Sequence, residues 1–155
     1  MMHFLTRILA MAVIFISVSA CGAEEYDNII IKNPDGTEQV FSVEYAVTEA
    51  EKAQGFMHRT EIPADHSMLF IYDRPQITWF WMRNTLVPLD MLFFDADKKL
   101  VYIEHNATPH DENPHGPDIP VCYVLEVNGG RAAALNIVEG ARFFANLSQE
   151  CLPYE

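Results

Sequence analysis

Basic residues are scarce in this chain of 155 residues. It contains 10 Lys and Arg against 22 Asp and Glu, which gives a formal net charge of −12 at pH 7. So acidic a chain repels the phosphate backbone of nucleic acids and anionic lipid headgroups. No nucleic acid partner is therefore expected, whereas cations and partners with basic patches are electrostatically compatible with it.

Short motifs with defined chemistry are also missing. The sequence has no phosphate-cradling glycine loop, no Cys-x-x-Cys pair and no hydrolase motif that orders Ser, His and Asp. It has no uncharged apolar run of about 20 residues, the length that a membrane-spanning helix needs. Catalysis is not excluded by these absences, because catalytic residues can assemble from distant positions.

The N-terminus has the pattern of an export signal. Arg7 precedes an uncharged apolar run, and the small residues of 17–20 lead to Cys21. This pattern predicts a signal peptide at 1–20. The segment Val18-Ser19-Ala20-Cys21 also resembles the lipobox of bacterial lipoproteins, which predicts lipidation of Cys21, a tether at 21–26 and a single β-rich domain at 27–155. Ordinary cleavage after Ala20 is the alternative.

Lipidation would make this an exported lipoprotein that faces the periplasm and is anchored to the membrane through the lipid on Cys21. Two or more acyl chains hold a protein firmly at a bilayer, whereas one holds it weakly. Gly22 carries no acidic retention signal, so the outer membrane is favoured over the inner membrane.

The cysteine count agrees with export. Use of Cys21 for the lipid leaves Cys122 and Cys151 in an oxidising compartment, where a disulfide between them is expected. The bond would close a loop of about 30 residues. In the alternative interpretation, Cys122 is only a small buried residue on a strand.

Short strands dominate the predicted secondary structure. Thr48-Glu-Ala-Glu51 has the capping-box pattern and predicts a short helix from 49 to about 57, with Gly55 near its end. The segment 121–127 is apolar on both faces apart from Glu126, which is typical of a central strand. Strands are predicted at 28–32, 40–47, 67–72, 78–83, 91–95, 100–104, 121–127 and 141–147, with one or two helical turns at 131–136. These elements predict a mainly β fold, a single compact β-sandwich or distorted barrel with one or two short helices.

Several blocks of the sequence resemble the domain-of-unknown-function family number 192, small and often exported bacterial and archaeal proteins. The resemblance covers about 40–147 and departs from the family pattern at Ser67, Arg83 and Ala141. It implies a compact, mainly β, sandwich-like fold and no established activity, cofactor or catalytic residue. It rests on the blocks Gly55-Phe-Met-His-Arg59, Met68-Leu-Phe70, Phe80-Trp-Met-Arg-Asn-Thr85, Pro88-Leu-Asp90 and Tyr123-Val-Leu-Glu126 with Gly130.

Glu126 is the centre of the predicted ligand pocket. A carboxylate on a central strand is desolvated, so Glu126 should have a cationic or hydrogen-bonding partner or be protonated. Arg59 and Arg83 are the candidate partners. Trp79 and Trp81 alternate on one face of a predicted strand, which either packs in the core or stacks on sugars. The same residues could be structural ion pairs and turn caps. The candidate pocket residues are Arg59, Trp81, Arg83, Asn84, Thr85, Asp90 and Glu126.

The loop at 106–120 combines imidazoles and carboxylates that suit a divalent metal. Its candidate ligands are His105, His110, Asp111 and His115. Their spacing matches no defined metal site, and solvated loops commonly contain such residues. No cofactor is therefore predicted, and the divalent metal stays the alternative.

Two functions follow from these residues. The first is a non-catalytic accessory module of the cell envelope that binds a small molecule, a glycan or a protein. The second is a hydrolase-like or divalent-metal-dependent enzyme that uses Asp90, Glu126 or the His105–His115 loop. A pocket with two convergent titratable groups would favour the enzyme.

The lipoprotein interpretation predicts the behaviour of one variant. Cells that express the full chain should contain a membrane-bound form shortened by its first 20 residues, and Cys21→Ser should release the protein or leave it unprocessed. Fractionation followed by mass spectrometry of the N-terminus measures both. A soluble wild-type protein with an unmodified Cys21 would contradict the prediction.

Overall fold

Seven strands and two short helices make up residues 27–152, which a computed structural model describes. The predicted signal peptide, Cys21 and the tether lie outside the described residues. None of the helices in the described range is long and apolar enough to cross a membrane. In chain order the elements are β1 (Asp27–Lys32), β2 (Glu38–Ala46), α1 (Glu49–Gln54), β3 (His66–Gln76), β4 (Leu89–Phe94), β5 (Leu100–Ala107), β6 (Val121–Asn128), α2 (Arg131–Ala134) and β7 (Arg142–Ala145).

All seven strands belong to one curled sheet in the order β5-β4-β6-β3-β2-β1-β7. Only β2 and β3 pair in parallel, which requires a crossover, and α1 lies in the connection between them. The two edge strands approach each other at the bridge Lys99–Arg142, where the N–H of Leu100 donates to the carbonyl of Ala141 at 2.8 Å. The sheet is therefore a distorted half-barrel bridged across its open side, which confirms the predicted mainly β fold.

The strands at the centre of the sheet are buried on both faces. Successive side chains of a strand point to opposite faces, so Leu125 packs inside the barrel with Leu69 and Leu92, while Val124 faces outward with Phe70. The outer face is covered by α1, by the loop at 77–88 and by the loop at 108–120. The central position predicted for 121–127 is thus confirmed, since β6 lies between β3 and β4.

The prediction of a strand at 78–83 is wrong. This segment is a loop that makes a single bridge, between Phe80 and His115. A strand needs a free edge to pair with, and both edges of β3, β4 and β6 are already occupied. The segment therefore crosses the outer face of the sheet, and Trp79 and Trp81 are 54% and 53% exposed instead of packing in the core.

The expected disulfide is present and attaches the C-terminal segment to the sheet. Cys122 on β6 is bonded to Cys151, with 5.7 Å between the Cα atoms, and both residues are buried. The hydroxyl of Tyr123 accepts the N–H of Cys151 at 3.0 Å and donates to Glu150 at 3.0 Å.

Reduction of this bond should lower the free energy of unfolding. The bond lowers the conformational entropy of the unfolded chain, and for a closed loop of this length the resulting stabilisation is about 3.5 kcal/mol. Urea unfolding of the full-length protein, followed by circular dichroism with and without reduction and alkylation, measures the change. Equal stability of both forms, or free thiols at both positions in the native protein, would contradict the prediction.

Candidate functional site

A pocket of about 360 Å³ opens on the outer face of the sheet, between the end of α1 and the two covering loops. Phe70 and Tyr72 of β3 contribute to one wall, and Trp79, Phe80 and Trp81 of the loop at 77–88 contribute to another. The pocket is thus walled largely by aromatic rings. Glu126 of β6 is the residue at its base.

Glu126 is a buried acid without a counter-ion among residues 27–152. Glu126 is 4% exposed, and the residues that lie opposite it on the neighbouring strands are Met68 on β3 and Met91 on β4. The Oε2 atom has no hydrogen-bond partner among the described residues. Burial, with no charged neighbour to oppose it, raises the pKa of Glu126 to about 8, so this carboxyl is protonated at neutral pH.

The prediction that Arg59 or Arg83 pairs with Glu126 is wrong. Arg59 instead donates to both carboxylate oxygens of Glu44, at 2.5 and 2.7 Å, and this pairing lowers the pKa of Glu44. Arg83 is exposed, with its guanidinium carbon 5.9 Å from the centre of the Trp81 ring. Both arginines keep part of their hydration at these positions, whereas a salt bridge with Glu126 would bury the cation as well.

Glu44 also belongs to a polar chain that resembles a Ser-His-acid set. His66 Nε2 lies 2.5 Å from Glu44 Oε1, and Ser42 Oγ lies 2.9 Å from His66 Nδ1. The neighbouring cleft is lined by Glu44 and Arg59 but not by Ser42. A substrate in that cleft would not reach the hydroxyl, so we interpret the chain as a structural link between β2 and β3.

The end of α1 borders Glu126. The predicted capping box is present: Thr48 Oγ1 accepts the N–H of Glu51 and Glu51 Oε2 accepts the N–H of Thr48. The helix ends at Gln54, and Gly55 has a φ of +47°. A Cβ on Gly55 would lie 3.3 Å from Phe70 Cζ and 3.7 Å from Glu126 Oε2. A larger side chain there would crowd the carboxyl.

Asp90 is buried for a structural reason and lies away from the pocket. Asp90 lies two positions before Leu92 on β4, so both side chains point to the same face of the sheet. Leu92 packs in the barrel interior, and Asp90 therefore faces the interior as well. Its Oδ1 accepts the N–H groups of Asn106 at 2.7 Å and Gly130 at 2.9 Å, and its Oδ2 accepts that of Ala132 at 2.7 Å. This carboxylate holds the end of β5 and the start of α2 in place.

The structure thus separates the candidate pocket residues. It brings Trp81, Thr85 and Glu126 into the pocket lining. Asn84 occupies an exposed turn with a φ of +56°, and Arg59, Arg83 and Asp90 lie elsewhere as described. Sequence reasoning missed other residues of the lining: Gly55, Phe70, Tyr72, Phe80 and Glu112. The density of aromatic residues between Thr78 and Met82 was the one signal that could have located them.

The histidine loop forms a wall of the pocket and assembles no metal centre. Within residues 27–152, no group of three or more His, Cys, Asp or Glu side chains is placed to hold a metal ion. His105 and His110 are exposed. Asp111 accepts the N–H of Asn113 at 2.9 Å, which lowers its pKa, and His115 lies 3.4 Å from carboxylate oxygens of both Asp111 and Glu104. The hydrogen bond between Asp111 and Asn113 thus closes a turn within the loop.

The solved structures that are similar to this chain include the following two. A candidate transcription regulator from Sinorhizobium meliloti 1021 is 35% identical, with a TM-score of 0.75, over 80% of this chain and 98% of that chain. A protein of unknown function from Novosphingobium aromaticivorans DSM 12444 is 38% identical, with a TM-score of 0.74, over 83% of this chain and 91% of that chain. No curated protein matches significantly.

A family model matches residues 30–144, which include all or part of every strand and helix described above. Its description is Uncharacterized ACR, and the family is DUF192. The blocks that carry the resemblance in the sequence lie inside this match, among them Gly55, which borders the pocket, and Glu126, which lies at its base. The chain belongs to DUF192.

Proposed function

We propose that this protein is a lipid-anchored protein of the cell envelope that binds a small ligand, without converting it, in the aromatic pocket over Glu126. One observation carries the proposal: a carboxyl that is 4% exposed and has an unpaired oxygen lies at the base of a pocket of about 360 Å³. A buried polar atom without a partner costs free energy, and a ligand that supplied the partner would recover it.

The walls of the pocket fit a ligand with a flat apolar face. Ligand sites are mostly apolar cavities of roughly 300–1,000 Å³ with a few placed polar groups. Trp79 and Trp81 are more than half exposed on either side of Phe80 in one loop. Large aromatic side chains that remain in water beside a cavity favour a stacking surface, on which a sugar or an aromatic ring would be desolvated.

Binding explains the polar groups of the pocket better than catalysis does. Lys52 Nζ is held by Glu49 at 3.1 Å, and the Tyr72 hydroxyl lies 3.1 Å from Thr78 Oγ1. Asp90 faces the barrel interior. A two-carboxylate mechanism would therefore have only the exposed Glu112 to pair with Glu126 among the lining residues described.

A second candidate function is an enzyme in which Glu126 acts as general acid. The observation that favours it is the pKa of about 8, because an acid that is protonated near pH 7 can donate its proton there. Turnover of a ligand by wild-type protein, abolished in Glu126→Gln, would establish this candidate instead of the binding function.

The cell-envelope part of the proposal is supported by two features. The disulfide Cys122–Cys151 suits an oxidising compartment. Cys21 precedes the first strand by six positions, so a lipid there would hold the domain within roughly 20 Å of the bilayer. The transcription-regulator description of the Sinorhizobium meliloti protein is not carried over, because a net charge of −12 opposes DNA binding.

Loss of the indole at position 81 should weaken ligand binding. We expect a thermal-shift screen of sugars and aromatic compounds on the full-length protein to yield a ligand. Trp81→Ala should then reduce the affinity of the protein for that ligand by about tenfold, which corresponds to the loss of one stacking contact. Phe144→Ala is the matched control, since Phe144 is 52% exposed on β7. Equal losses in both variants would contradict the site.

Stability should fall as pH rises because of Glu126. Its pKa is about 8 in the folded protein against an ordinary value of 4.5. Between these values the unfolded chain is ionised and the folded protein is protonated. Unfolding therefore releases a proton, and stability decreases by up to about 1.4 kcal/mol per pH unit. Glu126→Gln should remove this component of the slope.

Urea unfolding of the full-length protein between pH 5 and pH 9 measures both slopes. Glu139→Gln is the control, because it removes a carboxylate at an exposed position and should leave the slope of the wild type unchanged. Parallel profiles for wild type and Glu126→Gln would mean that Glu126 ionises normally in the folded protein.

A further inference from the structure

We propose that the ligand of this pocket is an organic cation with N–H donors, an amine or guanidinium on an apolar ring, whose charge pairs with Glu126. The inference rests on the proposed binding function and names the class of its ligand. The structure points to it through three observations: the unpaired oxygen of Glu126, the positions of the nearby basic side chains and the aromatic walls.

The first observation is the missing donor at Glu126. Oε2 is buried and has no hydrogen-bond partner in the part of the chain that the structure describes. The residues on either side of it in the sheet are Met68 and Met91, whose side chains carry no donor. Gly55 leaves the space between its backbone and this oxygen without a Cβ. A donor group that enters the pocket has an oxygen to bind.

The second observation is that the basic residues around the pocket interact with other groups. Arg59 donates to Glu44, Lys52 to Glu49, and Arg83 lies over Trp81. None of these basic side chains within residues 27–152 pairs with Glu126, so a cation that enters the pocket is the charge compensation that an ionised Glu126 would need. The neighbouring elements carry six acids against three Lys and Arg. The acids are Glu49 and Glu51 on α1, Asp73 on β3, and Asp111, Glu112 and Asp118 on the loop at 108–120. The bases are Lys52 on α1, Arg74 on β3 and Arg83 on the loop at 77–88, and the loop at 108–120 adds His110 and His115.

The third observation is the attraction of these rings for cations. Lys52 Nζ lies 4.9 Å from the centre of the Tyr72 ring, and the Arg83 guanidinium lies 5.9 Å from that of Trp81. Aromatic faces attract cations through their quadrupole, and Trp does so most strongly. A ligand cation among Phe70, Phe80 and Trp79 would gain the same attraction and would meet Glu126 at the base.

Binding of such a ligand must release a proton at neutral pH. The carboxyl of Glu126 loses its proton to solvent, and the carboxylate accepts an N–H of the cation. With a pKa of about 8, ionisation at pH 7 lowers the affinity by a factor of about ten. A neutral ligand that accepted a hydrogen bond from the protonated carboxyl would show the opposite dependence and lose affinity above pH 8.

Benzylguanidine and benzylurea provide a matched test, because they have nearly the same shape and differ in charge. We expect calorimetry on the full-length wild-type protein at pH 8 to show benzylguanidine bound at least about tenfold more tightly. Its affinity should rise by about tenfold per pH unit from pH 5 to pH 7 and level off above pH 8. Titrations in two buffers of different ionisation enthalpy should show release of about one proton at pH 6.

The variants assign these effects to Glu126. Glu126→Gln should abolish both the proton release and the preference for the cation, while Glu139→Gln should keep both. Benzylurea binding as tightly as benzylguanidine, or an affinity for the cation that falls with rising pH, would overturn the inference and leave the binding function standing. Absence of saturable binding by either compound would also overturn the inference, whereas the binding function fails only if the thermal-shift screen of sugars and aromatic compounds yields no ligand. The wild-type pH profile decides the question even if Glu126→Gln does not fold.

Discussion

The burial of β6 on both faces is the constraint on which the rest of this structure depends. The barrel interior covers one face, and α1 with two long loops covers the other, so a polar side chain on this strand reaches water only where the covering layer leaves a gap. Loops pack less continuously than a second sheet would. The pocket over Glu126 is the gap that they leave, with Gly55 at one edge and the aromatic residues of 79–81 at another.

Asp90 and Glu126 show two ways in which one sheet accommodates a buried acid. Asp90 faces the barrel interior and accepts three backbone N–H groups, so its charge is compensated and its position fixed. Glu126 faces the covered outer side and keeps an oxygen without a donor among the residues described. A domain that can satisfy one buried acid completely gains no stability from leaving the other unsatisfied, and this cost is the reason for the ligand role that we propose for Glu126.

The covering loops connect the family resemblance with the site. The block from Phe80 to Thr85 crosses the outer face of the sheet, with Met82 buried beneath and the indole of Trp81 exposed beside it. The N–H of Met82 donates to the carbonyl of Asp111 at 2.6 Å, so the two loops support each other. The histidine-rich segment thus acts as a pocket wall, and Asp111 closes a turn within it by accepting hydrogen bonds from Asn113.

The sequence by itself determined the local elements: the first two strands, the capping box at Thr48, the double-sided β6 and the pairing of Cys122 with Cys151. Each follows from short-range periodicity, turn chemistry or cysteine arithmetic. Only the tertiary structure decided that 78–83 is a loop and that Arg59 binds Glu44 instead of Glu126. Strand pairing depends on which sheet edges are free, and ion pairing depends on the hydration that each partner retains. Both are properties of the assembled sheet, which no window of the sequence contains.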